Sequence, residues 1–350
     1  MTAFLHAIGT AVPGHDIHTA FADWARARLE GRDRALFDRM AGRAGIAHRW
    51  SVLPDDVSPV GAGGFYADDP LPGTAARMTL YAEAAPELAL AAIAELRMRV
   101  PLDGITHLVV ASCTGFVAPG IDQIIAGRLG LAGSVERLLV GFMGCYAAVA
   151  ALRSARHVVR SDPQARVLVV TVELSTLHLQ AVDALEPLLA MLQFGDGAAA
   201  ALVTAEPGGF ALETPFAATL PDSAALIRWD ITDRGFAMHL SGEVPARIAA
   251  GLAEPGFAQA ALGGRAPGEV DGWAVHAGGR SILDAVQGAY ALPAAALADS
   301  RAVLADYGNM SSATLMFVLA RLLAGSPVER GVALAFGPGL AAEGFGFASA

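Results

Sequence analysis

Three polar side chains, far apart in the chain, stand where the local sequence turns. Cys145 follows the apolar run Leu138-Leu139-Val140-Gly141-Phe142-Met143-Gly144 and opens a helical pattern. A thiol at a helix start meets unpaired backbone N–H groups and the positive end of the helix dipole, which lowers its pKa from about 8.5 to roughly 3.5–7.5 and yields a ready thiolate. The competing role is a buried cysteine packing as a small hydrophobe. His276 ends the strand-like Trp273-Ala274-Val275 and enters the turn Ala277-Gly278-Gly279, where a side chain can be aimed into a cleft at a strand's carboxyl end. It is either the partner of that cysteine or a structural histidine. Asn309, within Tyr307-Gly308-Asn309-Met310-Ser311-Ser312, is either a helix N-cap or a side-chain donor to a developing oxyanion.

These turns must be held by the elements around them. Short β-branched runs at 107–111, 137–142, 166–172, 198–203, 273–275 and 332–336 read as strands buried on both faces, hence an α/β architecture. Helical patterns lie between them, at 78–99, 145–160, 281–290 and 310–323; the second puts Val149, Leu152 and Val159 on one face. The Gly/Pro cluster from Pro59 to Gly73 and the run from Pro215 to Ser223 read as loops. The second loop divides the chain into residues 1–205 and 206–350. Each part holds a strand, a turn with a polar group and a helix, at Gly144-Cys145 and at Gly308-Asn309, which suggests a duplicated fold.

Composition removes several function classes. The 350 residues are 54% hydrophobic, enough for a substantial core, and the net charge of −10 argues against nucleic acid as a main partner. Every basic position is Arg and none is Lys, so neither a Schiff-base lysine nor a P-loop lysine is available. Two cysteines, Cys113 and Cys145, are too few for a disulfide framework or a zinc ribbon. The first residues carry no basic, then apolar, leader pattern, and no apolar stretch reaches 18 residues without a charge. The expectation is a soluble cytoplasmic protein without a membrane span.

Six segments, in order, resemble the type III polyketide synthases, the chalcone synthase-like branch of the thiolase superfamily. They are Ala7-Ile8-Gly9-Thr10-Ala11, Gly144-Cys145-Tyr146-Ala147-Ala148, Phe194-Gly195-Asp196-Gly197-Ala198-Ala199, His276-Ala277-Gly278-Gly279, Tyr307-Gly308-Asn309-Met310-Ser311-Ser312 and Phe336-Gly337-Pro338-Gly339. The resemblance implies a five-layered αβαβα fold of two duplicated halves, a homodimer, an acyl-CoA starter and malonyl-CoA as substrates, and no metal or organic cofactor. It implies that Cys145 takes the starter acyl group, while His276 and Asn309 hold the thioester oxygen of malonyl-CoA as CO₂ leaves. His276 would also pair with Cys145 as imidazolium with thiolate. Phe194 matches an aromatic gatekeeper, and Cys113, His178, Trp229, Met238 and Ser311 fall at cavity positions.

Departures from the plant pattern bear on product. Arg39 and Arg43 match two positions of a cationic cluster for the coenzyme A phosphates, with Leu36 at the third, although solvated surface arginines read the same way. Ala118 stands where the plant loop sends a methionine into the neighbouring cavity. Cys113 replaces a threonine, or is simply a small buried residue. His178 and Trp229 replace a threonine and a glycine, so the cavity must differ in shape. The expected reaction is iterative decarboxylative condensation and cyclisation to an alkylpyrone or alkylresorcinol. The rivals are a β-ketoacyl carrier-protein synthase III-like enzyme and a non-catalytic scaffold of the same fold.

Overall fold

The computed structural model of the chain describes residues 1–54, 56, 58–67 and 70–350. Among the described residues the strands are β1 (Ala3–Ala11), β2 (His15–Asp16), β3 (Trp50–Ser51), β4 (His107–Ser112), β5 (Glu136–Gly141), β6 (Val167–Leu174), β7 (Asp196–Thr204), β8 (Phe210–Thr219), β9 (Ile227–Thr232), β10 (Gly235–Leu240), β11 (Gly272–Val275), β12 (Gly331–Gly337) and β13 (Ala341–Ser349). The helices are α1 (His18–Ala27), α2 (Gly31–Ala41), α3 (Thr74–Arg97), α4 (Ile121–Leu129), α5 (Ala147–Ser161), α6 (Leu185–Met191), α7 (Val244–Ala253), α8 (Pro255–Ala261), α9 (Arg280–Ala289), α10 (Ala298–Tyr307) and α11 (Ser312–Ala324).

Alternating side chains along the strands build the layers. In β4, Val109 and Ala111 face a core shared with α5 and α11, while Leu108 and Val110 face a second core with α3 and α4. In β12, Ala333 and Ala335 face the α5/α11 core, and Val332 and Leu334 face a third core with α7 and α9. Both faces of these strands are therefore covered, as their continuous apolar runs require. The result is five layers, αβαβα, with α5 and α11 in the middle. Residues 147–152 of α5 are all buried, because a helix packed between the two halves of the sheet needs apolar residues all round.

The strand order β11-β12-β13-β8-β1-β7-β6-β4-β5 contains one pattern twice. From β1, the neighbours β7, β6 and β4 join antiparallel, antiparallel and parallel. From β8, the neighbours β13, β12 and β11 do the same. The halves join where β1 pairs with β8, Phe4 opposite Ala211. The expected duplication is thus present in the sheet.

Four expectations need correction. The run at 137–142 is not buried on both faces: β5 is an edge strand whose only buried residue is Val140, with Leu138 46% exposed. The run from Pro215 is not all loop, since β8 extends to Thr219. Pro215 is tolerated because β1 pairs with β8 only as far as Leu212, so its missing N–H faces no second strand there. The helix expected to open at Cys145 begins at Ala147, after a 3₁₀ turn over Gly144–Tyr146. Gly308-Asn309 follows the helix α10 and not a strand. The Pro59–Gly73 segment holds no helix or strand among its described residues, and Asp68 and Asp69 lie outside them. Among the described residues no helix is long and apolar enough to cross a membrane.

Candidate active site

Backbone contacts fix each of the three polar groups. Gly144 adopts φ 71°, and a Cβ there would lie 2.6 Å from Pro338 Cδ, so this tight turn into the α5 layer requires glycine. Cys145 sits in that turn. His276 extends β11 by one residue, its N–H donating to the Leu334 carbonyl at 2.8 Å. Asn309 is locked to the segment after α6: its N–H donates to Gln193 O at 2.8 Å, and its carbonyl accepts from Gly195 N at 3.0 Å. Its side-chain Oδ1 accepts from Ser311 N at 2.8 Å, and Nδ2 donates to Gly278 O at 3.2 Å, next to the histidine turn. Cys145, His276 and Asn309 all line one cavity of about 560 Å³.

Burial controls the charge states. The Cys145 thiol is pushed up to about 11 by loss of solvent, with the nearby Glu173 carboxyl adding to the rise and hydrogen bonds from Ser311 and Asn309 opposing it. Burial alone brings His276 down to about 3. Among the described residues neither of its ring nitrogens has a hydrogen-bond partner. Burial thus opposes the expected thiolate and imidazolium and favours a neutral thiol and a neutral imidazole. The short 3₁₀ turn does not offset the cost of burying charge.

Phe194, Cys113, Trp229, Met238 and Ser311 line the same cavity. Cys113 Sγ lies 3.3 Å from Ser311 Oγ, and Trp229 Nε1 donates to the Cys113 carbonyl at 3.0 Å. Burial drives the Cys113 thiol well above its ordinary value. His178 lines a smaller space of about 60 Å³ that adjoins this cavity behind Phe194 and Trp229. Its Nε2 donates to Thr114 O at 2.6 Å, its Nδ1 accepts from Phe236 N at 3.0 Å, and its ring stacks on Phe236. Burial lowers it to about 3, so it is a neutral bracket in the wall. Arg39 and Arg43 are exposed and line neither space, although Met40 between them lines the main cavity.

Sequence reasoning missed Glu173, fully buried under the cavity floor. Its carboxyl accepts from Cys113 N at 3.0 Å, Thr114 Oγ1 at 2.9 Å and Ser312 Oγ at 2.5 Å, tying β4 to α11. The available signal was a lone acid in the buried strand Val167–Leu174. Arg49 was missed as well, and no local pattern marks it.

Residues 2–207 match the family described as chalcone and stilbene synthases, N-terminal domain, and residues 211–350 match its C-terminal domain. The chain is 35% identical over 286 residues to the alpha-pyrone synthesis polyketide synthase-like Pks18 of Mycobacterium tuberculosis, covering 77% of this chain and 72% of that one. It is 34% identical over 330 residues to bisdemethoxycurcumin synthase of Oryza sativa subsp. japonica, covering 88% and 81%. Among solved structures, PKS-I from the brown alga Ectocarpus siliculosus superposes with a TM-score of 0.88 at 30% identity, covering 100% of this chain and 98% of that one. The C-terminal type III polyketide synthase domain of Steely1 from Dictyostelium superposes at 0.90 with 24% identity, covering 100% and 99%, a likeness of fold. The fold is thiolase-like. These matches lend no support to the carrier-protein synthase or scaffold alternatives. Enzymes of the matched family act on coenzyme A thioesters and need no cofactor. The chain belongs to the chalcone and stilbene synthase family and is a type III polyketide synthase.

Proposed function

We propose that the Cys145, His276 and Asn309 centre condenses malonyl-CoA units onto an acyl-CoA starter, and that the product is an alkylpyrone or alkylresorcinol. The observation that carries this reading is the convergence of the three groups on one cavity, with both His276 ring nitrogens unpartnered and so free for substrate. Residues 1–205 supply the cysteine, and residues 206–350 supply the other two.

Cys145 attacks the starter thioester carbonyl. Its proton moves to the neutral His276 imidazole and then to the departing coenzyme A thiolate. Malonyl-CoA next loses CO₂, and the electron pair left behind forms an enolate whose oxygen accepts from His276 and from the Asn309 amide. Two fixed donors in a dry cavity stabilise that charge far better than water does, because they need no reorganisation as it develops. The enolate carbon attacks the Cys145 thioester, the thiolate leaves, and the lengthened chain remains on coenzyme A for reloading. Cyclisation releases the product. The name of the mycobacterial relative supports the pyrone outcome.

Arg39 and Arg43, on either side of the cavity-lining Met40, hold the coenzyme A phosphates. The working unit is a cytoplasmic homodimer. In support, β5 is an edge strand paired only with β4, with Leu138 and Leu139 exposed, and Phe116 and Phe142 stand exposed beside it. Such an edge is normally covered. Incubation with malonyl-CoA and a panel of starter coenzyme A thioesters, read by mass spectrometry, should give pyrone or resorcinol masses that grow by two-carbon units. Free fatty acid alone, or no malonyl-CoA-dependent product accompanied by CO₂ release, contradicts the reading.

A further inference from the structure

The turn that follows β11 lines the main cavity with His276, Gly278 and Ser281. His276 is buried and Ser281 exposed, so this wall runs from the reaction centre toward solvent. Gln193 lies against it. The backbone of Gln193 is already committed: its N–H donates to Ala190 O at 3.1 Å, and its carbonyl accepts from Asn309 N at 2.8 Å. Its side chain reaches the histidine turn, where a Cβ on Gly279 would lie 2.3 Å from Gln193 Oε1.

Gln193 is half-buried and lines the cavity, and among the described residues its carboxamide makes no hydrogen bond. The Asn309 amide beside it is engaged at both ends, by Ser311 N and Gly278 O. Leu189, Val244 and Ile282, in the same cavity wall, offer only apolar surface. An amide oxygen there needs an N–H or O–H donor, and a carboxylate would set a second acceptor against it. Its place narrows the donor further. A Cβ on Gly278 would lie 3.3 Å from His276 Nε2, and Gly279 is the next residue along, about 3.8 Å on. The carboxamide is thus one short step beyond the group that holds the thioester oxygen. In a coenzyme A thioester the nearest N–H is that of the cysteamine amide, two carbons from the sulfur.

We infer that Gln193 is a specificity residue that recognises the cysteamine amide of the coenzyme A substrates, its Oε1 accepting the amide N–H. The inference rests on the polyketide synthase reading and adds to it a residue that tells this carrier from other activated acyl groups. An anchor two carbons from the reacting sulfur holds the thioester carbonyl toward His276 and Asn309, which is worth more for positioning than a contact far along the carrier. Water is the competing partner of the carboxamide.

The test follows acylation of Cys145 in the full-length enzyme by mass spectrometry, with hexanoyl thioesters of N-acetylcysteamine and of 2-acetoxyethanethiol. The second replaces the amide N–H by an ester oxygen. Each transfers its hexanoyl group to the Cys145 sulfur and releases its own thiol. Corrected for their rates of exchange with free thiol in buffer, the amide thioester should acylate about five- to tenfold faster, the worth of one neutral hydrogen bond. Gln193→Leu should abolish that ratio, and Gln193→Glu, which keeps an oxygen acceptor, should retain it, a pattern that a purely structural role for Gln193 would not give. Gln193→Met removes the acceptor equally and serves where the leucine variant fails to fold. Equal rates for the two thioesters in the parent enzyme, or a ratio that survives loss of the acceptor, mean that the carboxamide holds only water and overturn the inference. So does an N-acetylcysteamine thioester that fails where hexanoyl-CoA succeeds. Hexanoyl-CoA that leaves Cys145 unmodified contradicts the polyketide synthase reading itself and takes the inference with it.

Discussion

The Trp229 indole donates its Nε1–H to the Cys113 carbonyl at 3.0 Å, so a residue of the β9–β10 hairpin is tied to the segment just after β4 across the cavity. The ring is only partly buried and stands edge-on to His178 at 5.6 Å. It is therefore a partition between two spaces and not a core side chain. An aromatic of this size covers about 150–250 Å². Trp229→Gly should leave the enzyme folded, merge the two spaces and shift starter preference or the number of condensations. Loss of solubility, or an unchanged product set from a folded variant, contradicts the partition role.

Removing either donor to the enolate should slow the release of CO₂. His276→Ala and Asn309→Ala should each lower malonyl-CoA decarboxylation by roughly 10²–10³. His276→Ala should also slow acylation of Cys145, because the thiol loses its proton acceptor, whereas Asn309→Ala should affect acylation less. Radiolabelled CO₂ release and single-turnover acylation separate these effects. Parent-rate CO₂ release from the asparagine variant removes Asn309 from the centre.

The charge states predict a pH profile for alkylation. A thiol near 11 is mostly protonated through neutrality, and a histidine near 3 is neutral over the same range. In the empty enzyme, the rate of Cys145 labelling by iodoacetamide should climb continuously as pH rises from 7 to 10, since the thiolate is the reactive form. A rate that already levels off near pH 6 would indicate a preformed thiolate–imidazolium pair and contradict the neutral one.

Legibility of the site followed from how local each signal is. Cys145, His276 and Asn309 stand within two residues of glycines at turns, and a turn that needs Gly144 or Gly308 announces itself in a few residues. Their charge states are less legible, because burial is a property of the whole cavity and not of the turn. The exact place of His178 was not legible for a similar reason: it follows from Thr114 and Phe236, contributed by distant segments. Apolar runs marked the strands β4, β6, β7, β11 and β12, but a run such as Leu138-Leu139-Val140 reads the same whether a layer covers it or the sheet ends there. Arg49 carries no pattern at all, since a buried guanidinium depends on carbonyls at Met191 and Phe194 that the neighbouring residues do not foretell.

The central claim is that Cys145 alone carries the growing chain, and intact-protein mass spectrometry after incubation with a starter coenzyme A thioester measures this directly. Cys113 shares the cavity, but burial and the Glu173 carboxyl hold its thiol far above the ordinary range. The parent enzyme should gain one acyl mass, retained in Cys113→Ala and absent from Cys145→Ala. An acyl adduct on the Cys145→Ala protein would contradict the assignment.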